Sequence, residues 1–188
     1  MVKDSVSSSR LGGYLSEKTA VFEKKYSDIF GGILDEGLNL LTIDPESNKK
    51  ITLNVSKTDL TADHENEKNM LNLVNLERQK AGVELLTLRE EAVTVARNYA
   101  EDMWSRNYFS HYSPEGEDVV NRLEKTGIRF NTVGENLALA PTLLIAHNGL
   151  MNSEGHKRNI LDPNFRKIAI GIVDNRIYGK IFVQIFTD

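Results

Sequence analysis

Ile168-Ala169-Ile170-Gly171-Ile172-Val173-Asp174-Asn175-Arg176-Ile177-Tyr178-Gly179-Lys180-Ile181-Phe182-Val183-Gln184-Ile185-Phe186 is the stretch that decides the fold. Ile168, Ile170 and Ile172 alternate with Ala169 and Gly171, which is the two-residue period of a strand. Asp174-Asn175-Arg176 and Gly179-Lys180 are turn residues, and Ile181, Val183 and Ile185 resume the alternation beyond them. The pattern predicts two antiparallel strands at the C-terminus.

Upstream the period changes. Met70, Leu73, Val74 and Glu77 share a helical face that stops at Ala81-Gly82. Val93, Ala96, Ala100, Met103 and Trp104 mark a second helix over Glu90 to Asn107. A short helix spans Asp118 to Lys125, closed by Gly127, and a longer helical pattern runs from Ala138 to Met151 through Pro141-Thr142. Helices first and paired strands last imply an α+β fold, an antiparallel sheet covered by helices.

The first third reads differently. Residues 1–13 have the Ser-rich composition of a flexible tail. From Tyr14 to about Leu41 apolar residues recur at three- and four-residue steps, an amphipathic helix interrupted near Gly31-Gly32. Leu40 to Ile43, then Asp44-Pro45-Glu46-Ser47-Asn48, then Ile51 to Val55 read as strand, turn and strand, a hairpin. Two strands alone are marginal, so this unit is expected to pack on its own helix, on the main domain or on a second copy. The polar run from Lys57 to Lys68 is the linker or helix entry. The expected organisation is a tail over 1–13, a helix-plus-hairpin extension with linker over 14–65, and a main domain over 66–188.

The 188 residues suffice for one sizeable core with an appendage. A net charge of −4, with basic residues interleaved among acids, argues against nucleic acid as a partner. No segment reaches the length of continuous apolar residues that a transmembrane helix needs, so a soluble protein is expected. The absence of cysteine excludes a disulfide framework and a thiol nucleophile. Met1 to Arg10 has no apolar core behind its basic residue, so the chain is expected to be cytoplasmic or to have lost an export signal.

Four clusters carry the chemistry: Asn107-Tyr108-Phe109-Ser110-His111-Tyr112-Ser113-Pro114-Glu115-Gly116; Gly134-Glu135-Asn136-Leu137; Ser153-Glu154-Gly155-His156-Lys157-Arg158-Asn159-Ile160-Leu161; and Phe182-Val183-Gln184-Ile185-Phe186. In this order and spacing they resemble the CAP superfamily of cysteine-rich secretory, antigen five and pathogenesis-related proteins, in its cysteine-free bacterial branch. The resemblance covers about two thirds of the chain. It implies an α-β-α sandwich and a cleft in which His111, Glu135 and His156 face one another, with Asn136 beside them. Ser153 falls where animal and plant relatives carry a second Glu. On a helix Ser153 shares a face with His156 at i, i+3, whereas Glu154 lies about 200° away from His156, so Ser153 is the better cleft member of the two. Leu150 replaces an aromatic residue of many relatives, which changes the cleft floor.

Two imidazoles and a carboxylate have two natural uses, a divalent metal site, with zinc the foremost candidate, and a general acid/base pair. Each residue also has a plain structural role open to it. His111 can cap the helix that ends near Asn107, His156 can serve a helix end, and Glu135 can accept from the amides of its own loop. His64 and His147 lie outside the motifs. Lys157 and Arg158 can hold an anion or form a solvated helix face. The resemblance implies a non-enzymatic secreted or cell-surface protein whose cleft binds a small ligand, a lipid or sterol, or a metal ion. The alternatives are a metal-assisted peptidase or esterase using His111, Glu135 and His156, and an assembly module acting through residues 14–55 on a protein partner or a second copy.

Overall fold

The computed structural model describes residues 40–56 and 59–188. The tail over 1–13 and the amphipathic helix read from residue 14, up to residue 39, lie outside the described residues, as do Lys57 and Thr58 of the linker. Leu40–Asp188 form one compact unit.

In chain order the elements are β1 (Leu41–Thr42), β2 (Ile51–Thr52), β3 (Thr61–Ala62), α1 (His64–Lys80), β4 (Thr87–Leu88), α2 (Glu90–Ser105), β5 (Tyr108–Phe109), α3 (Val119–Glu124), β6 (Val133–Ala140), α4 (Leu143–Asn152), α5 (Glu154–Leu161), β7 (Lys167–Asp174) and β8 (Lys180–Thr187). Helix α1 starts earlier than its apolar face suggested. The Asp63 carboxylate accepts the Asn66 N–H and so satisfies one free amide of the first turn. It stops where Gly82 takes a φ of 69°. Asp118 and Asn121 form a reciprocal capping box on α3. The Thr142 hydroxyl caps α4.

Ala138–Ala140, read as the start of that helix, instead close β6. Their small apolar side chains suit either state, and pairing with Phe182, Ile181 and Lys180 of β8 decides for the strand.

The main sheet has six strands in the order β1-β6-β8-β7-β3, with β4 added in parallel to β7 and every other pairing antiparallel. On one face Ile168, Ile170, Ile172, Phe182, Phe186, Ala138 and Ala140 pack with Met70 and Val74 of α1, Leu150 of α4 and Ile160 of α5. The other face carries α2, whose Trp104 indole N–H donates to the Val173 carbonyl at 3.0 Å. The result is the expected α-β-α sandwich.

Gly171 sets how closely α2 approaches. A Cβ there would stand 2.3 Å from the Arg97 backbone nitrogen and 2.4 Å from the Ala96 carbonyl carbon. Because backbone cannot step aside as a side chain can, Gly171→Ala is expected to cost about 1–3 kcal/mol in urea unfolding. A change near zero would show that α2 does not rest on this strand.

The two strands read in residues 40–55 are present, but they do not pair with each other as a hairpin. β1 joins the edge of β6, Leu41 opposite Leu139, and β2 pairs with β5, Ile51 opposite Phe109. A two-stranded ribbon alone buries little, whereas these partners bury Leu41, Ile43, Ile51 and Leu53.

Candidate functional site

Adjacent residues of a strand point to opposite faces, so β6 sends Glu135 into the layer of α2 and α3, and Asn136 into the layer of α5. His111, two residues beyond β5, places Nδ1 2.8 Å from Glu135 Oε1. Arg122 of α3 donates to Glu135 Oε2 at 2.5 Å and to the His111 carbonyl. Its guanidinium lies 3.4 Å above the Tyr99 ring, a cation–π contact.

His156 lies inside α5. Its Nδ1 is 2.7 Å from Ser153 Oγ, and its backbone carbonyl accepts from Asn136 Nδ2. Asn136 also donates to Gln184 Oε1, and Asn159 Nδ2 donates to Asn136 Oδ1. Glu154 points to solvent, away from this network.

The two histidines meet at one atom. His111 Nε2 is 3.0 Å from the Ile43 carbonyl oxygen, and His156 Nε2 is 2.8 Å from the same oxygen. A carbonyl oxygen only accepts, so each Nε2 must carry a proton. For His111 the Nδ1 partner, an ionised carboxylate, is also acceptor-only, so the ring is a doubly protonated imidazolium. Burial opposes that charge, but the Glu135 hydrogen bond and carboxylate, with the Ile43 carbonyl, raise its pKa above the ordinary histidine value. His156 has a hydroxyl on Nδ1 that can donate to it, which allows a neutral ring with the proton on Nε2. Burial pushes its pKa down to about 4, and the charge on His111 adds to that effect. Burial also works against the Glu135 charge, yet Arg122 and His111 hold that carboxyl below the usual glutamate range.

The two shifts give stability a maximum. For His111, raised in the fold, the contribution is complete below the unfolded histidine value of about 6.5 and is lost as pH rises through the higher folded value. For His156, depressed in the fold, it is complete above about 6.5 and is lost as pH falls toward about 4. Denaturation of the wild type between pH 4 and pH 9 is expected to show His156→Asn flattening the acid limb and His111→Asn flattening the alkaline limb. Unchanged limbs in these variants would overturn the protonation states.

Of the three plain structural roles, those of His111 and Glu135 do not describe the site, and that of His156 does. The cap of α2 is made by the Arg106 backbone N–H and not by His111. Glu135 serves side chains and not loop amides, whereas His156 does sit at a helix end, in the first turn of α5 with Nδ1 on the hydroxyl of the N-cap Ser153. A cation does not fit the residues as they stand. Among the described residues no group of three His, Cys, Asp or Glu could hold a metal ion, and a cation at His111 would have to displace a ring proton. Of the other two histidines, His64 is exposed and His147 is buried with its pKa lowered by burial.

Beside His111 and Glu135 opens a cleft of about 340 Å³, rimmed by Asp44, Glu46, Asp118 and Arg158. Arg122 and the Ile43 carbonyl were not legible as site members. The one available sign was that a buried Glu135 requires a cation from outside its own motif.

The model of the cysteine-rich secretory protein (CAP) family matches residues 71–186. The uncharacterized protein YkwD of Bacillus subtilis is 39% identical over 123 residues, 64% of this chain and 46% of that protein. The chain thus spans less than half the length of this curated relative. An extracellular protein containing a SCP domain, from Bacillus anthracis, aligns with a TM-score of 0.61 at 31% identity, over 66% of this chain and 41% of that one. An outer surface protein of Borrelia burgdorferi aligns with a TM-score of 0.66 over 70% of this chain and 98% of its own, and at 23% identity it speaks for the fold alone.

Proposed function

Since this chain belongs to the cysteine-rich secretory protein (CAP) family, we propose that it is a binding module of the cell envelope or the extracellular space, not a hydrolase. The observation that carries this reading is the state of the two imidazoles. A general base needs a free lone pair facing substrate, and His111 has none while His156 donates its Nε2 proton to Ile43. One structural neighbour, an extracellular protein at 31% identity, supports the location. No helix among the described residues is long and apolar enough to cross a membrane.

The polar rim of the His111 cleft suits a small hydrophilic ligand. A lipid or sterol tail would find apolar walls elsewhere, in a groove of about 590 Å³ lined by Leu71, Leu88, Val93 and Ile170. The test is a panel of peptide and ester substrates offered to the full chain, beside mass spectrometry of molecules that co-purify with it. No turnover and a retained small molecule are expected. Turnover that disappears in both His111→Ala and Glu135→Ala would overturn the reading.

Divalent-cation binding is a second reading with one observation behind it, the convergence of both Nε2 atoms on a single point. It requires the Ile43 carbonyl to leave and His111 to lose a proton, so affinity must rise with pH. Calorimetry with zinc chloride at pH 6 and pH 8 is expected to show that rise, and pH-independent affinity would exclude these two ligands.

A further inference from the structure

The oxygen that holds both imidazoles belongs to this chain's own residues 40–46, whose seat is shaped to them. Without β1, strand β6 would be a bare edge of the sheet. Leu41 and Ile43 are 5% and 3% exposed. Two helices omit side chains where this segment crosses them. A Cβ at Gly149 of α4 would stand 2.0 Å from Leu40 Cδ2, and one at Gly155 of α5 would stand 2.7 Å from Asp44 Oδ2 and 3.0 Å from Pro45 Cδ. Neither glycine has a positive φ, so clearance and not backbone conformation is what these positions provide. After two paired residues the turn closed by Ser47 N–H on the Asp44 carbonyl leads the chain away, and Leu53, 1% exposed, fastens it again beside β5.

We propose that the edge of β6, Gly149, Gly155 and the two imidazoles form a receptor for an extended peptide, and that residues 40–46 occupy it in cis. The ligand class is read from the occupant. It is a strand-forming segment of the pattern Leu41-Thr42-Ile43-Asp44-Pro45, recognised by sheet pairing and by two N–H donors on one main-chain carbonyl. Tethering gives the occupant an effective concentration on the order of millimolar, so a free peptide competes poorly until the segment is loosened. This rests on the reading of the chain as a binding module and adds, beside the polar cleft, a seat that takes a peptide.

The test follows carbethoxylation of His156 by diethyl pyrocarbonate in the full chain at pH 7, with exposed His64 as the internal standard. Leu53→Asp loosens the segment from its far end, and Gly155→Leu pushes on Asp44 and Pro45 from beneath. In the wild type His156 is expected to react at least about tenfold more slowly than His64, and in both variants to approach it, since protection follows local opening. Amide exchange at Leu41 and Ile43 scores release independently. A synthetic peptide of residues 39–46 is expected to restore protection in Leu53→Asp and not in Gly155→Leu, where the seat is filled. Wild-type His156 as reactive as His64 would overturn the proposal. So would released Leu41 and Ile43 with His156 still protected, segment amides that stay protected in both variants, or a peptide that restores nothing. Turnover by the released variants would sink the binding-module reading while leaving the self-occupied receptor standing.

Discussion

Glu135→Gln is expected to destabilise the domain by about 3–5 kcal/mol, the range for breaking one partner out of a buried ion pair. The carboxylate stands between two buried cations, accepting from His111 Nδ1 on one oxygen and from Arg122 Nη2 on the other. Its own side chain is 3% exposed and that of Arg122 is 9% exposed, so solvent cannot take over either role. An amide of the same shape turns one of its two ends into a donor, and whichever cation meets that end faces like polarity in a dry site. A neutral His111 can still donate Nε2–H to the Ile43 carbonyl, but as a weaker, uncharged donor, so the 40–46 segment should loosen together with the loss of global stability. Urea denaturation with amide exchange at Leu41 reads both. A loss below about 1 kcal/mol would mean that the triad is solvated and not a buried network. The double variant Glu135→Leu with Arg122→Met is expected to recover part of the stability, because it removes the permanent cation with the carboxylate and leaves only His111, which can give up its Nδ1 proton.

Arg78→Met is expected to cost at least about 3 kcal/mol, although Arg78 lies outside the candidate site. Its side chain is fully buried and its hydrogen bonds go to backbone carbonyls. Nε donates to Glu84, Nη1 to Ile160 and Asp162, and Nη2 to Phe165. These four carbonyls lie after α1, at the end of α5 and in the approach to β7, so one guanidinium joins three segments of the chain. Methionine keeps the apolar stem and removes every donor. Arg78→Lys should recover less than half of the loss, since a single ammonium cannot span the fork. Equal stability of the arginine and lysine forms would show that charge alone, not fork geometry, is what matters here.

Arg78 and Arg122 show why part of this molecule was not legible in advance. Arg78 sits in a helix with a plain apolar face and Arg122 in a short one, and a lone arginine in a helix ordinarily lies on the solvated side. Nothing local distinguishes them, because their partners are 13 residues away for Arg122 and up to 87 residues away for Arg78. The Ile43 carbonyl is a stronger case, since a backbone oxygen has no residue-type signature. The hairpin expectation failed for a related reason. Local alternation marked the two strands in 40–55 correctly, but pairing is a contest between edges, and the long edge of β6 and the β5 strand offer more burial than the two short strands offer each other.

By itself the sequence determined what depends on periodicity and local chemistry: the two C-terminal strands from alternation at Ile168 to Ile185 and helices α1 and α2 from their apolar faces, while the grouping of His111, Glu135, Asn136, Ser153 and His156 was what the family resemblance implied. Tertiary structure alone decided what depends on juxtaposition. It brought Arg122 to Glu135, closed β6 with β1, and set one carbonyl against two imidazoles so that His111 is charged while His156, at i, i+3 from a serine, is neutral. The physical reason is that the charge of a buried imidazole is set by the hydrogen-bonding character of what faces it, and what faces it is chosen by chain crossings that no local pattern records.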